Sequence, residues 1–225
     1  MAQPGDLTVA VQDYAKAIYT LEAQDGSAST NGLAALLEVR PGSVSGMLRK
    51  LSALGLVEHE RYRGVRLTER GRRVALEVIR HHRLLELFLV ENLGMTWDEV
   101  HAEAEVLEHA LSEELEELIA AKLGHPTVDP HGDPIPSREL QVAETPAPAL
   151  AELEPGESAT FVRISDSDPA MLRFLGERGI VPGTQLELVE RQPFDGPLFV
   201  RVGKETHALG AVLARAMHVQ REMAD

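Results

Sequence analysis

The sequence predicts a mainly α-helical chain that closes with a small β-domain. Three observations carry this reading. Apolar residues recur at three- and four-residue steps from Val11 to Leu123. After Leu150 the pattern changes to short alternating runs punctuated by Pro155-Gly156, Pro182-Gly183 and Asp195-Gly196. Between the two lie a Pro-rich stretch from His125 to Pro136 and a second one around Glu144 to Pro148, which read as a connector. With 225 residues, 44% hydrophobic and 26% charged, the chain suits one large domain or two smaller ones and excludes a disordered or fibrous protein.

The first helix is marked by Val11, Tyr14, Ala15, Ile18 and Tyr19, leaving Asp13, Lys16 and Ala17 off the main stripe. Leu33, Leu36 and Leu37 suggest a second helix. A Pro41-Gly42 break then precedes a third, with Val44, Met47, Leu48, Leu51 and Leu54 on its stripe and Gly55 as its stop. Two short helices joined by a tight turn make a helix-turn-helix candidate. Leu56 to Arg61 and Val65 to Thr68 flank Tyr62-Arg63-Gly64 as a short β-ribbon, so the module reads as a winged helix-turn-helix.

A long helix is expected from Glu69 to about Asn92, broken at Leu93-Gly94. Thr96-Trp97-Asp98-Glu99 has the spacing of a capping box and opens the next helix. That helix carries His101, Glu105, Glu108 and His109, which a 3.6-residue period places on one face. The preceding helix adds His82 and Glu86, one turn apart. A last helix from Ser112 to Leu123 is amphipathic through Leu115, Leu118, Ile119 and Leu123, and Gly124 with Pro126 closes it. In the β-domain, strands are expected at Ala159–Ile164, Gln185–Glu190, Pro197–Val202 and Met217–Gln220, a helix from Pro169 to Glu177, and a further turn within Leu209–Ala216. Such a set of strands makes a small β-barrel, better suited to binding or packing than to catalysis.

The formal charge of −14 argues against a polyanionic partner only until it is divided along the chain. From Arg40 to Arg73 nine bases face three acids, a local balance of +6 that leaves −20 on the remainder. The polar face of the third helix shows Ser43, Ser45, Gly46, Arg49 and Lys50. Small groups there permit close approach to a major groove, and bases hold phosphate. The bland alternative is a solvated helix beside a basic hairpin. With no cysteine, a disulfide framework, a thiolate metal site and a cysteine nucleophile are excluded. Two imidazoles and two carboxylates at helical spacing, near another His and Glu, form a donor set for a first-row divalent ion. Oxygen and imidazole without sulfur lean toward manganese or ferrous iron. The competing reading is a solvated or salt-bridged acidic face. A metallohydrolase is disfavoured because there is no His-Glu-x-x-His. With no apolar run of spanning length and no signal-peptide pattern, a cytoplasmic protein is expected.

These residues together resemble the diphtheria toxin repressor and iron-dependent regulator family, which includes the manganese transport regulators. The resemblance rests on Asp13-Tyr14 with Ile18-Tyr19, Arg63-Gly64-Val65-Arg66-Leu67-Thr68 and His82-Arg83-Leu84-Leu85-Glu86. It continues through Val100-His101-x-Glu103-Ala104-Glu105-x-x-Glu108-His109 and Pro130-His131-Gly132-x-Pro134-Ile135-Pro136, and Gly179-Ile180-x-Pro182-Gly183 matches that family's SH3-like domain. It implies a DNA-binding domain over 1–72, a helical dimerisation and metal-binding domain over 73–140, a linker over 141–149 and an SH3-like, FeoA-like domain over 150–225.

The resemblance further implies a homodimer that represses metal-uptake genes by binding a palindromic operator when metal-loaded, with two metal sites per subunit. Asp13, Glu105, Glu108 and His109 would form the primary site. His82, Glu86 and His101 would form an ancillary site, completed by two side chains of the SH3-like domain that fall at Asp168 and Met171; Met171 is a poor match for the amide expected, so Asp168 or neighbouring Asp166 is the better candidate. On the DNA side it implies Ser43, Ser45 and Gly46 near base edges and Arg40, Arg49, Lys50, Arg61 and Arg63 near phosphates. Asp13 and Glu105 stand where iron regulators carry Met and Cys, which favours Mn²⁺ over Fe²⁺. Lys16 stands where the short manganese regulators supply a second carboxylate, which argues against their closely spaced binuclear centre. Two readings compete: a winged-helix regulator that senses an organic ligand, and an SH3-like domain that docks a peptide.

Overall fold

In the computed structural model, residues 7–60, 64–143, 146–165 and 168–222 are described. The expected phosphate contacts Arg61 and Arg63, the alternative ligand Asp166 and part of the 141–149 linker lie outside them. The chain forms two compact units, one of Met1–His82, Glu105–Glu116 and Pro136–Gln141, the other of Arg83–Ala104, Glu117–Ile135 and Val142–Asp225.

The first unit is built on α1 (Val9–Asp25), α2 (Thr30–Leu36) and α3 (Pro41–Ala53), followed by β1 (Val57–Glu60) and β2 (Gly64–Leu67). Ser29 caps α2 by accepting the Gly32 N–H at 3.0 Å, and Pro41 opens α3 where a missing N–H costs nothing. The core joins Val11, Ala15 and Ile18 of α1 to Leu33, Val44, Leu48 and Leu51 of the following helices and Val65 of β2. Ala17 is buried as well, so the apolar face of α1 is wider than its sequence stripe. β1 pairs with β2 antiparallel, Val57 opposite Leu67 and Glu60 opposite Gly64. This wing is pinned to the α1–α2 loop by two hydrogen bonds between Ala28 and Val65, each 3.0 Å. Gly64, at φ +110°, makes the approach possible, since a Cβ there would lie 2.1 Å from the Ala28 carbonyl oxygen.

α4 runs from Glu69 to Leu93, as long as its apolar pattern implied. The Thr96–Glu99 tetrad forms a turn, with the Thr96 hydroxyl on the Glu99 carboxylate at 2.9 Å, and α5 proper begins at Val100. α5 then ends at Leu107. Glu108 and His109 therefore occupy a turn, and the single helical face expected for His101, Glu105, Glu108 and His109 is not formed. α6 spans Glu113–Lys122.

In the second unit, β3 (Ser158–Ile164), β4 (Gln185–Arg191), β5 (Leu198–Val202), β6 (Glu205–Leu209) and β7 (Met217–Arg221) make one antiparallel sheet in the order β6-β5-β4-β3-β7. β6 was not expected: Glu205-Thr206-His207-Ala208-Leu209 carries a single large apolar residue, and as an edge strand it needs no second buried face. α7 (Pro169–Gly176) and α8 (Ala211–Ala216) cover a core of Phe161, Ile164, Leu172, Leu175, Leu188, Val200 and Val219, with Trp97 packed against it.

Candidate metal centre

The first cluster is assembled from four stretches of the first unit. α1 contributes Gln12, Asp13 and Lys16, α4 contributes His82, the end of α5 contributes Glu105, and the turn beyond it contributes Glu108 and His109. Ligand atoms of Asp13, Glu108 and His109 lie within 4.8 Å of one another, as do those of His82, Glu105 and Glu108. Glu108 is common to both groups and its side chain is fully buried. His109 Nε2 sits 2.8 Å from Asp13 Oδ1, and its Nδ1–H donates to Gln12 Oε1 at 2.7 Å. With Nδ1–H held by that amide, Nε2 is the nitrogen that faces the carboxylates, and it would offer its lone pair once a cation displaces its proton, the role that an orienting acceptor plays behind a metal-bound histidine. Oxygen and imidazole donors on a shared buried carboxylate fit a hard to borderline divalent cation.

A positive charge already belongs to this cluster. The Lys16 ammonium donates to Glu105 Oε1 at 2.6 Å and to Glu108 Oε2 and Oε1 at 2.8 and 3.1 Å, and lies 3.2 Å from His82 Nδ1. His82 also meets Glu108 Oε2 at 2.5 Å. Burial pushes Glu108 toward the neutral acid, but the His82 hydrogen bond and the Lys16 charge outweigh it and hold its pKa below the usual value. Burial works against the Lys16 charge too, yet Glu108 and Glu105 raise its pKa. Asp13 is raised, chiefly by burial, with the His109 charge opposing.

Behind these residues, His81 Nδ1 donates to the Glu108 carbonyl at 3.0 Å while its Nε2 reaches Glu116 Oε2 at 3.0 Å. Burial disfavours the His81 charge, but the Glu116 and Glu108 hydrogen bonds raise its pKa, consistent with both ring nitrogens acting as donors.

The second unit holds another cluster. Glu86, Asp129 and His131 are buried with ligand atoms within 4.8 Å, and His101 Nδ1 lies 3.3 Å from Glu86 Oε1. His131 Nε2–H donates to the Trp97 carbonyl at 2.7 Å, leaving Nδ1 turned toward Glu86 Oε2 at 3.6 Å. Burial and the neighbouring Glu86 and Asp133 raise Asp129 to about 7. His131 resists its own burial because Glu86 and Asp129 raise it to about 9. Gly132 follows at φ +87°, where a Cβ would stand 1.8 Å from the Val162 carbonyl oxygen, so this loop lies directly on β3. Asp168 is the N-cap of α7, its Oδ1 accepting the N–H groups of Ala170 and Met171 at 2.9 and 3.3 Å. Among the described residues it joins none of these ligand groups.

On the helix-turn-helix, Arg40 at the N-cap of α3 and Ser43, Ser45, Gly46, Arg49 and Lys50 along it are all exposed. Ser45 turns its hydroxyl back to the Pro41 carbonyl at 3.2 Å, and space around Gly46 is open. Part of the local basic excess is structural: Arg66 donates to the Gly26 carbonyl at 3.0 Å, Arg70 to that of Leu54 at 2.8 Å, and Arg72 stands 5.1 Å over the Tyr19 ring.

A winged helix-turn-helix, a helical segment with clustered carboxylates and imidazoles, and an SH3-like sheet define a metal-dependent DNA-binding regulator. The comparisons agree. Residues 6–65 match the iron dependent repressor N-terminal DNA-binding domain, 68–137 its metal-binding and dimerisation domain, and 149–221 the FeoA domain. The chain is 32% identical to the iron-dependent repressor IdeR of Mycobacterium tuberculosis over 228 residues, covering 96% of this chain and 99% of that one. It is 35% identical over 105 residues to the regulator MntR of Oceanobacillus iheyensis, covering 47% and 71%. A manganese-dependent transcriptional repressor solved in complex with manganese superposes with a TM-score of 0.85 at 45% identity, covering 94% and 100%. The chain belongs to the iron-dependent repressor family, whose members are metal-activated DNA-binding transcriptional repressors.

The sequence pattern missed Gln12, a neutral amide whose role appears only through a contact 97 residues away. It also missed Asp129 and His131, which sit inside the Pro-rich stretch read as a connector; the Asp-Pro-His-Gly run was their one signal.

Proposed function

We propose that this chain is a Mn²⁺-responsive repressor of metal-uptake genes that acts in the cytoplasm as a homodimer on a palindromic operator, with Fe²⁺ as the weaker effector and no catalytic activity of its own. The observation that carries this reading is the meeting of Asp13, Glu108 and His109 with Gln12 behind the imidazole. Asp13, Glu108 and His109 would hold a divalent cation, whose charge would let carboxylates of α1 and the α5–α6 turn come together. Asp13 links the first helix of the DNA-binding module to that turn, so ligation fixes how α1, and α2 and α3 packed on it, are presented. The absence of sulfur from the donor set favours Mn²⁺. Glu86, with His101 and the loop residues His131 and Asp129, is the second metal site in this reading. Exposed Val106, Leu107 and Leu115 supply the apolar surface for a partner subunit.

Ser43, Ser45 and Gly46 would contact base edges, and Arg40, Arg49 and Lys50 phosphates. The test is retardation of a fragment carrying the chain's own upstream region by metal-stripped protein titrated with Mn²⁺, anaerobic Fe²⁺ or Zn²⁺. Binding is expected at lower free Mn²⁺ than Fe²⁺, and Asp13→Ala should abolish the response. Metal-independent binding, or an unchanged response in Asp13→Ala, sinks the reading. Affinity should also fall by orders of magnitude from low to physiological salt.

A further inference from the structure

The first cluster has two lobes joined by Glu108. Asp13 and His109 stand on the Oε1 side, His109 Nε2 being 3.4 Å from that oxygen. His82 and Glu105 stand on the other side, where the Lys16 ammonium makes its shortest contacts, 2.6 Å to Glu105 Oε1 and 2.8 Å to Glu108 Oε2. Lys16 is only 19% exposed and reaches the cluster from α1, one turn beyond Asp13. We propose that Lys16 is a resident cation: its ammonium fills the His82–Glu105–Glu108 lobe, restricts the cluster to a single divalent ion in the Asp13–Glu108–His109 lobe, and competes with that ion for Glu108. The proposal rests on the metal-site reading above.

Charge balance supports it. Asp13, Glu105 and Glu108 carry three negative charges, which one ammonium and one divalent cation neutralise together. A second divalent ion beside the ammonium would leave two uncompensated positive charges around the fully buried Glu108, a costly state. Removing the ammonium reverses the situation, leaving an over-negative pocket with an unfilled lobe. Lys16 also ties α1 to α5 and to the turn beyond it through its ion pairs with Glu105 and Glu108, which hold the lobe in shape.

The experiment measures Mn²⁺ stoichiometry and affinity of the full-length protein by equilibrium dialysis, with electron paramagnetic resonance to detect paired ions. Lys16→Met should bind Mn²⁺ about ten-fold more tightly or better, because a like charge at contact distance has gone. Lys16→Glu should take up one additional ion per subunit and show an exchange-broadened spectrum, where the native protein shows resolved hyperfine lines from isolated ions. Lys16→Arg, which keeps the charge, should retain native stoichiometry, and Lys16→Gln repeats the Met measurement if that variant is misfolded by circular dichroism. Unchanged affinity in both neutral variants, or an exchange-coupled pair in the native protein, overturns the role of Lys16 while leaving the site intact. Failure of the native protein to bind Mn²⁺, or binding unaffected by Asp13→Ala, overturns the site itself and the proposal with it.

Discussion

The Asp13–Lys16–Glu108 cluster and the Glu86–Asp129–His131 cluster both gather carboxylate and imidazole away from water, but different groups balance their charge. In the first, the counter-charge is an ammonium on a flexible stem, and the side chains of Asp13 and Glu105 remain 35% and 43% exposed. In the second, it is His131 together with Arg83, whose guanidinium lies 3.6 Å from Asp129, and none of Glu86, Asp129 and His131 exceeds 2% exposure. An ammonium on a four-carbon stem can be displaced at the cost of side-chain rearrangement, whereas an imidazole clamped to the Trp97 carbonyl cannot leave without breaking the loop. The first cluster is therefore balanced by a charge that can be displaced and the second by charges fixed in the fold.

That contrast can be broken most forcefully at Glu86. Glu86→Ala removes the main partner of buried His131 and should cost about 3–5 kcal/mol of metal-free stability in urea unfolding. A loss below about 1 kcal/mol would mean that the second cluster is no more structural than the first.

A smaller effect comes from pH. His131 titrates at about 9 in the fold against 6.5 unfolded, so its stabilising contribution is complete below 6.5 and lost as pH rises through about 9. Asp129, raised to about 7, acts with the same sign, favouring the fold while protonated and losing that contribution as pH rises from 3.8 through 7. Thermal melts of metal-free protein should show stability declining by about 2–3 kcal/mol between pH 6.5 and 9. The decline should flatten in His131→Phe; an unchanged slope would assign it to other groups.

Asp13→Ala sharpens the comparison from the other side. It should change metal-free stability by under about 1 kcal/mol, since a half-exposed ion pair contributes little, while removing metal-dependent operator binding in the same retardation assay. Smallest of all, Arg173→Ala should cost at most about 0.5 kcal/mol despite the 3.0 Å bond to Asp98, because the arginine is mostly in solvent.

The three-part architecture was legible because each part has its own periodicity. Asp13, Glu108 and His109 were found through the motifs in which they sit, and the structure brings them together. The spacing argument behind the helical stripe failed for a local reason: it assumed that α5 continues through His109, whereas the helix stops at Leu107 and tertiary contacts aim Glu108 and His109. His101 consequently parts from them and meets Glu86. Asp129 and His131 were hidden by proline-rich surroundings, since periodicity is silent on loops. β6 was hidden by its polar residues, because an edge strand shows little alternation.

The His81 contact with the Glu108 carbonyl has a consequence for timing. Glu108 serves the ligand cluster through its side chain, while its backbone is held by an imidazole that also grips Glu116 at the start of α6. Loss of an ion from the proposed site would then free rotamers of its ligands while the His81 bond holds the Glu108 main chain. Recovery at Glu108 would be a rearrangement of its buried side chain, slower than the picosecond-to-nanosecond flips of exposed residues. The part of the response that lies at Glu108 would therefore need no refolding of its backbone.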